Sequence, residues 1–283
     1  MVFSALVHDV DHVGVSNGQL AKEQPKLADK YKNQSIAESN SVDLAWDLLM
    51  QPCFKELQLC IFADRSEFLR FRQLVVTTVL ATDIFDQQLK ALRNMRWERA
   101  FHPDELNLLD RPDELSSSAM SVSESTDVSN SISTSVRGEV KNTSTNRKAT
   151  IVIEHVIQAS DVAHTMQHWN IYKKWNERLF QEMYLAHKKG RNPKDPSEGW
   201  YKGELWFFDN YVLPLARKLE ECGVFGVASD ECLTNALENR RAWAQSGEDV
   251  VKEMVEKAEK IAIKLDVVTE EEEERSESEN FVA

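Results

Sequence analysis

His8-Asp9-Val10-Asp11-His12 sets two imidazoles and two carboxylates within five residues, directly behind an apolar run, Val2-Phe3-Ser4-Ala5-Leu6-Val7. A fold that accepts this stretch must bring the cluster to the edge of a core and give it a partner, because polar and charged groups there are costly when unpaired. Continued as the end of a helix, the run puts His8 and His12 on one face, four residues apart, with Asp9 about a quarter turn away. Imidazole and carboxylate are ligands for Zn, Mg or Mn, so a divalent metal is the natural partner. Taken singly, the same residues would serve as a cap or turn, with Gly14 ending a helix.

The rest of the chain reads as helices. Residues 18–34 are polar, carry Lys22, Pro25, Lys26 and Lys30, and are expected to form a surface connection. Residues 35–50 return to helical spacing through Ile36, Val42, Ala45, Trp46 and Leu49, and Pro52 stops them. Residues 66–84 form a helix whose β-branched run implies burial. Residues 86–102 are amphipathic and basic, 167–187 place Trp169, Tyr172, Trp175, Leu179 and Met183 on one side, and 203–221 run to a stop at Gly223. Two final helices are expected over 230–245 and 248–266, hinged at Ser246-Gly247. Between Ser116 and Ser135 about half the residues are Ser. Such a segment cannot bury enough apolar surface to offset its ordering entropy, so 110–149 is expected to be a disordered, phosphorylatable insertion. Residues 269–283 read as a disordered, solvated acidic tail. The fold class is therefore all-α: one compact multi-helix domain over 1–245, with a C-terminal helix over 246–268.

A formal net charge of −13 argues against a nucleic-acid-binding face, which needs a basic patch. It does not oppose a small anionic ligand, because bound cations reverse the local sign. The four cysteines are scattered without a CxxC pair and point to a reducing, cytoplasmic setting. No run reaches the ~18 apolar residues of a membrane span, so direct membrane insertion is not expected and any tether would belong to a parent protein. The first residues already read as a packed helix, which suggests a chain that begins inside a domain, with further domains upstream.

His8-Asp9, His12, Gly14 and Asn17 together resemble the metal-binding signature of the class I 3′,5′-cyclic nucleotide phosphodiesterases, within the HD-type phosphohydrolases. Tyr31 with Ser35-Ile36-Ala37-Glu38 is similar to that family's Tyr…Ser-x-x-Glu segment, and Leu80-Ala81-Thr82-Asp83 to its Leu-Ala-Thr-Asp. Ser160-Asp161-Val162-Ala163 stands where the family has its second metal-binding Asp, and the likeness continues through Tyr172, Trp175, Arg178, Glu182 and Tyr184. Glu204-Leu205-Trp206-Phe207 sits on the family's Gln-x-x-Phe. The resemblance covers most of residues 2–110 and 150–225. It also makes Ile151–Ile157, a strand by propensity, helical.

The resemblance implies two divalent ions, Zn²⁺ with Mg²⁺ or Mn²⁺, and hydrolysis of cGMP or cAMP to the 5′-monophosphate. It implies His8, Asp9 and Asp161 as metal ligands, Asp9 bridging. His12 and Glu38 become catalytic residues outside the ligand set, with Asn17 and Asp83 behind them. Phe207 and Val162 would grip the base, beside Glu204 and His164. Four departures stand out. Glu204 replaces the base-reading Gln, and an ionised carboxylate suits the two donors of guanine. His164 replaces an Asn near the base. Asn40 and Ser41 replace two histidines, with an effect expected on packing only. The family's upstream His-Asn-x-x-His has no counterpart in residues 1–7, so the chain as given is expected to be weakly active or inactive. The rival expectations are a catalytically dead regulatory module and a more general metal phosphohydrolase.

Overall fold

The structure is a computed structural model; it describes residues 1–103 and 133–282, with side chains at 1–103 and 145–264. Its longer elements are α1 (Val2–Val7), α2 (Asn17–Glu23), α3 (Pro25–Lys30), α4 (Ile36–Leu49), α5 (Lys55–Ile61) and α6 (Arg65–Leu80). They continue with α7 (Gln87–Phe101), α8 (Ser133–Asp161), α9 (Trp169–Lys188), α10 (Trp200–Phe207), α11 (Leu213–Cys222) and α12 (Glu231–Val282). No strand occurs among the described residues, as the all-α reading expects. Of the Ser-rich stretch 110–149, residues 110–132 lie outside the described residues, and from Ser133 the backbone is already in α8. The acidic tail 269–283 is helical backbone to Val282, in α12.

The largest core is built by α8 to α12 around Tyr172, Phe180, Phe208, Leu219, Trp243 and Met254. A smaller one joins α1, α4 and α6 through Val7, Val42, Ala45, Val75 and Val79. A third, Leu20, Ala28, Ile36 and Ala37, lies under α2 to α4. Ile151–Ile157 is helical despite its β-branched residues because Ile151, Glu154, His155 and Ile157 are all buried, and tertiary packing overrides propensity.

Several local expectations change. Residues 18–34 are not a surface connection: they hold α2 and α3, with Leu20 and Ala28 each 3% exposed. The start signals were present, since Ser16 Oγ accepts from Gln19 N at 3.3 Å and Pro25 opens α3. The expected hinge at Ser246-Gly247 is continuous helix inside α12. A Cβ at Gly247 would lie 2.9 Å from the Trp243 and Tyr201 rings, so this glycine permits close packing against α10. The helix expected over 203–221 is interrupted by a π-helical turn, Phe208–Val212, ahead of Pro214. Gly223 closes α11 at φ +61° as expected.

Candidate active site

α1 ends at Val7, so His8 caps it and the cluster behind it is a turn. Asp11 adopts φ +65°, which breaks the helical register. His8 and His12 therefore do not share a helical face, contrary to the spacing argument. His8 Nδ1 lies 2.8 Å from the carbonyl of Ala5, so that nitrogen carries the proton and Nε2 turns outward. Nε2 lies 3.4 Å from Asp9 Oδ2 and 3.5 Å from Asp161 Oδ1. Ligand atoms of all three residues fall within 4.8 Å of one another.

Asp161 is the last residue of α8, where the helix carbonyls already concentrate negative charge. Two carboxylates at that end need a cation. With only side chains to supply it, His8 is raised to about 9, chiefly by its hydrogen bond to Asp161, with burial opposing. One imidazole lone pair and two carboxylates converging at a helix C-terminus are a donor set that fits a divalent ion. The chain has a possible metal-binding group here.

The turn is held in place from several sides. Ser41 Oγ donates to Val10 O at 2.8 Å and Asn40 Nδ2 to Asp11 Oδ2 at 3.2 Å. These two residues, expected to affect packing only, tie the turn to α4. Arg191 donates to Val13 O at 3.3 Å while pairing with Glu23. Gly14 has φ +71°, and a Cβ there would sit 2.9 Å from Glu182 Oε1. His12 stands apart from the ligand cluster. Its Nδ1 accepts from Gly14 N at 3.2 Å, which leaves the proton on Nε2 in the neutral ring.

A second group lies deeper. Asn17 Oδ1 accepts from Ala37 N at 2.9 Å, which turns its amide nitrogen toward Glu38 Oε2 at 3.0 Å and Asp83 Oδ2 at 3.4 Å. Asp83 is buried and also accepts from Ser35 Oγ at 2.7 Å and from the backbone N–H groups of Phe85 and Asp86. Burial raises the Glu38 carboxyl, and the charge of Asp83 adds to it, against the Asn17 hydrogen bond and the nearby His12. Glu38 thus has a strengthened affinity for protons beside His12.

The third group stands on α9, α10 and the π turn. Tyr172 OH donates to Glu204 Oε2 at 2.7 Å. Asn176 lies close enough to lower the carboxyl of Glu204. Trp200 Nε1 can only donate and takes Asn176 Oδ1 at 3.0 Å, so Asn176 presents its N–H to Glu204. Burial raises Glu204 to about 7, against these two neighbours. His164 lies parallel to Tyr172, with ring centroids 6.3 Å apart, and is depressed by burial with Asp161 opposing. Phe207 stacks on Tyr211 at 5.2 Å. Val162 is buried in the large core beside Tyr172. Tyr211, not singled out from sequence, keeps a buried hydroxyl with no hydrogen-bond partner among the described residues. Its position four residues after Phe207 was the available signal.

A family model described as 3′5′-cyclic nucleotide phosphodiesterase matches residues 1–226. The chain is 23% identical over 254 residues to the probable 3′,5′-cyclic phosphodiesterase pde-3 of Caenorhabditis elegans, covering 86% of this chain and 31% of that protein. It is 22% identical over 186 residues to the dual specificity calcium/calmodulin-dependent 3′,5′-cyclic nucleotide phosphodiesterase 1B of Bos taurus, covering 65% and 26%. The chain thus spans about a third or less of the length of these relatives. In fold it is similar to the phosphodiesterase domain of the RhoPDE fusion protein from the choanoflagellate Salpingoeca rosetta. That likeness has a TM-score of 0.58 at 20% identity and covers 90% of this chain and 69% of that one.

Proposed function

The chain belongs to the 3′,5′-cyclic nucleotide phosphodiesterase family, and from that premise we propose that it is part of a longer parent protein that hydrolyses cGMP or cAMP to the 5′-monophosphate with two divalent ions, Zn²⁺ and Mg²⁺ or Mn²⁺. The observation that carries this reading is the convergence of His8 and Asp9 with Asp161, 152 positions on, within 4.8 Å. His8 Nε2, Asp9 and Asp161 hold the metal. When bound, such ions supply Lewis acidity toward the phosphodiester and make water more acidic.

The remaining work falls to the chain's own side chains. Glu38 accepts a hydrogen bond from the attacking water and takes up its proton as the new P–O bond forms, a role suited to a carboxyl raised by burial; the P–O3′ bond breaks and the leaving 3′ oxygen takes a proton from bulk water. His12, protonated at Nε2, donates toward the phosphate oxygens. Asn17 and Asp83 keep Glu38 from turning away. Phe207, backed by Tyr211, offers a ring face to the purine, with Val162 and His164 near the opposite side.

Glu204 reads the base edge. Its protein neighbours Tyr172 and Asn176 are both donors, so it is held as an acceptor. Guanine offers N1–H and N2–H₂ to such a group, whereas adenine sets a lone pair at N1 against it. The reading therefore favours cGMP. No helix among the described residues is long and apolar enough to cross a membrane; a parent protein with a membrane tether belongs to the proposal.

The test, in the parent protein that carries the upstream His-Asn-x-x-His segment, is release of 5′-monophosphate from cGMP and cAMP with Zn²⁺ and Mn²⁺ supplied, then after chelation, in wild type and Asp161→Asn. Metal-dependent turnover that the substitution abolishes supports the reading. Turnover indifferent to chelation and to Asp161 defeats it.

A further inference from the structure

Gln158 is buried in α8, in an apolar stretch of sequence with Val156, Ile157, Ala159 and Val162. An amide in such surroundings is costly unless its hydrogen bonds are made. Its Nε2 donates at 2.9 Å to the carbonyl of Ala81, 77 residues away in sequence. Ala81 is the C-cap of α6, and its carbonyl is among those that a helix end leaves without an intrahelical partner. Two residues on, the carbonyl of Asp83 accepts from Arg93 Nη2 at 3.3 Å, also a buried side chain. The turn from Ala81 to Asp83 is therefore gripped through its backbone from α7 and α8.

What that turn carries is the Asp83 carboxylate, which orients Ser35 and Asn17 and, through Asn17, Glu38. What Gln158 shares a helix face with is Asp161, three residues later at the end of α8. The ligand cluster and the Glu38 network stand on different helices, and this amide joins them.

We infer that Gln158 is a positioning residue: its bond to the Ala81 carbonyl holds Asp161 in register with the Asp83–Asn17–Glu38 network. The inference rests on the metal reading of His8, Asp9 and Asp161. Partners hydrogen-bonded directly to metal ligands fix ligand orientation, and their loss typically weakens metal binding about 10–100-fold; Gln158 acts one step further out, through the Ala81 carbonyl, so a smaller loss is expected. A residue that only filled space would be replaceable by an apolar side chain of equal length without consequence for the ion.

Mn²⁺ alone is the probe, titrated calorimetrically into wild type, Gln158→Met, Gln158→His and Asp161→Asn, with thermal melting of each. Gln158→Met keeps the length and removes the donor; it is expected to weaken Mn²⁺ binding roughly 3–10-fold, below the range for a direct partner of a ligand. Gln158→His restores an N–H and is expected to recover most of that loss. If Gln158→Met binds Mn²⁺ as wild type does while Asp161→Asn does not, the positioning role falls and the metal reading stands. If neither substitution changes binding, both fall. A second measurement needs no variant. Because coupling is reciprocal, saturating Mg²⁺ should slow hydrogen exchange of the Gln158 side-chain amide in wild type. Unchanged exchange overturns the inference even where Gln158→Met does not fold.

Discussion

The His8–Asp9–Asp161 cluster and the Asn17–Ser35–Glu38–Asp83 network are made of similar side chains and finished in opposite ways. In the first, the Asp9 and Asp161 side chains are 60% and 33% exposed, and the group facing both is one imidazole nitrogen. In the second, Asp83 Oδ2 accepts from Ser35 and Asn17, and its Oδ1 from two backbone N–H groups. Acceptors left facing one another are available to a cation. Acceptors saturated by protein donors hold a frame. Substitutions in the first region should therefore disturb metal binding with little effect on folding, and substitution of Asp83 in the second should chiefly cost stability.

The largest effect is expected at Asp161. Asp161→Asn should lower Mn²⁺ affinity by more than about 100-fold, beyond what loss of an outer partner costs, and change unfolding free energy by less than about 1 kcal/mol. Calorimetric titration beside denaturant unfolding measures both. A variant that bound Mn²⁺ normally but unfolded easily would reverse the comparison.

Asp83→Ala is the counterpart. It leaves the Ser35 hydroxyl, the Asn17 amide and two backbone N–H groups short of an acceptor. Denaturant unfolding should show a loss of roughly 2–3 kcal/mol, the range for orphaned buried donors. Unchanged stability would mean that the network frames nothing.

Glu204 lies between the two kinds of region, since protein donors hold it and it remains able to titrate. Its carboxyl, ordinarily near 4.5, stands at about 7 in the folded chain. The folded state therefore holds this proton more tightly than the unfolded one, and its stabilising contribution, full below 4.5, is lost as pH rises through 7. The same ionisation creates the acceptor that guanine needs. In the chain extended upstream to restore the domain, the ratio of kcat/KM for cGMP over cAMP should rise by about tenfold from pH 6 to 8, the scale of one mispaired polar contact. Glu204→Gln should make that ratio independent of pH. A ratio in wild type that is flat with pH would remove Glu204 as the base reader.

The smallest effect belongs to Ser41, which ties the open turn to the framed helix. Ser41→Ala should cost about 1 kcal/mol in unfolding, one net hydrogen bond, and should weaken Mn²⁺ binding less than Asp161→Asn does. An effect on the metal as large as that of Asp161 would show that the open cluster is framed after all.

Much of the fold is legible in the sequence. Helices α4, α6, α7 and α9 follow from apolar spacing, because a 3.6-residue period is a local property. The family follows from short strings whose order and offsets survive in one dimension. Pro52 and Gly223 mark the ends of α4 and α11 because their backbone limits travel with the residue.

Other features needed the packed chain. His12 does not share a helical face with His8, because α1 ends at Val7 and Asp11 takes φ +65°, with the Asp11 side chain bonded to Asn40, 29 residues away. Gly247 sits mid-helix because two rings crowd it, and nothing in its neighbours announces that. Gln158 reads as one polar residue in an apolar run until Ala81 comes beside it. Sequence alone determined which segments could be helices and which side chains had metal or base chemistry to offer. Tertiary structure decided which of those side chains meet, because a contact across 77 or 152 residues depends on how whole helices pack, and no local spacing encodes that.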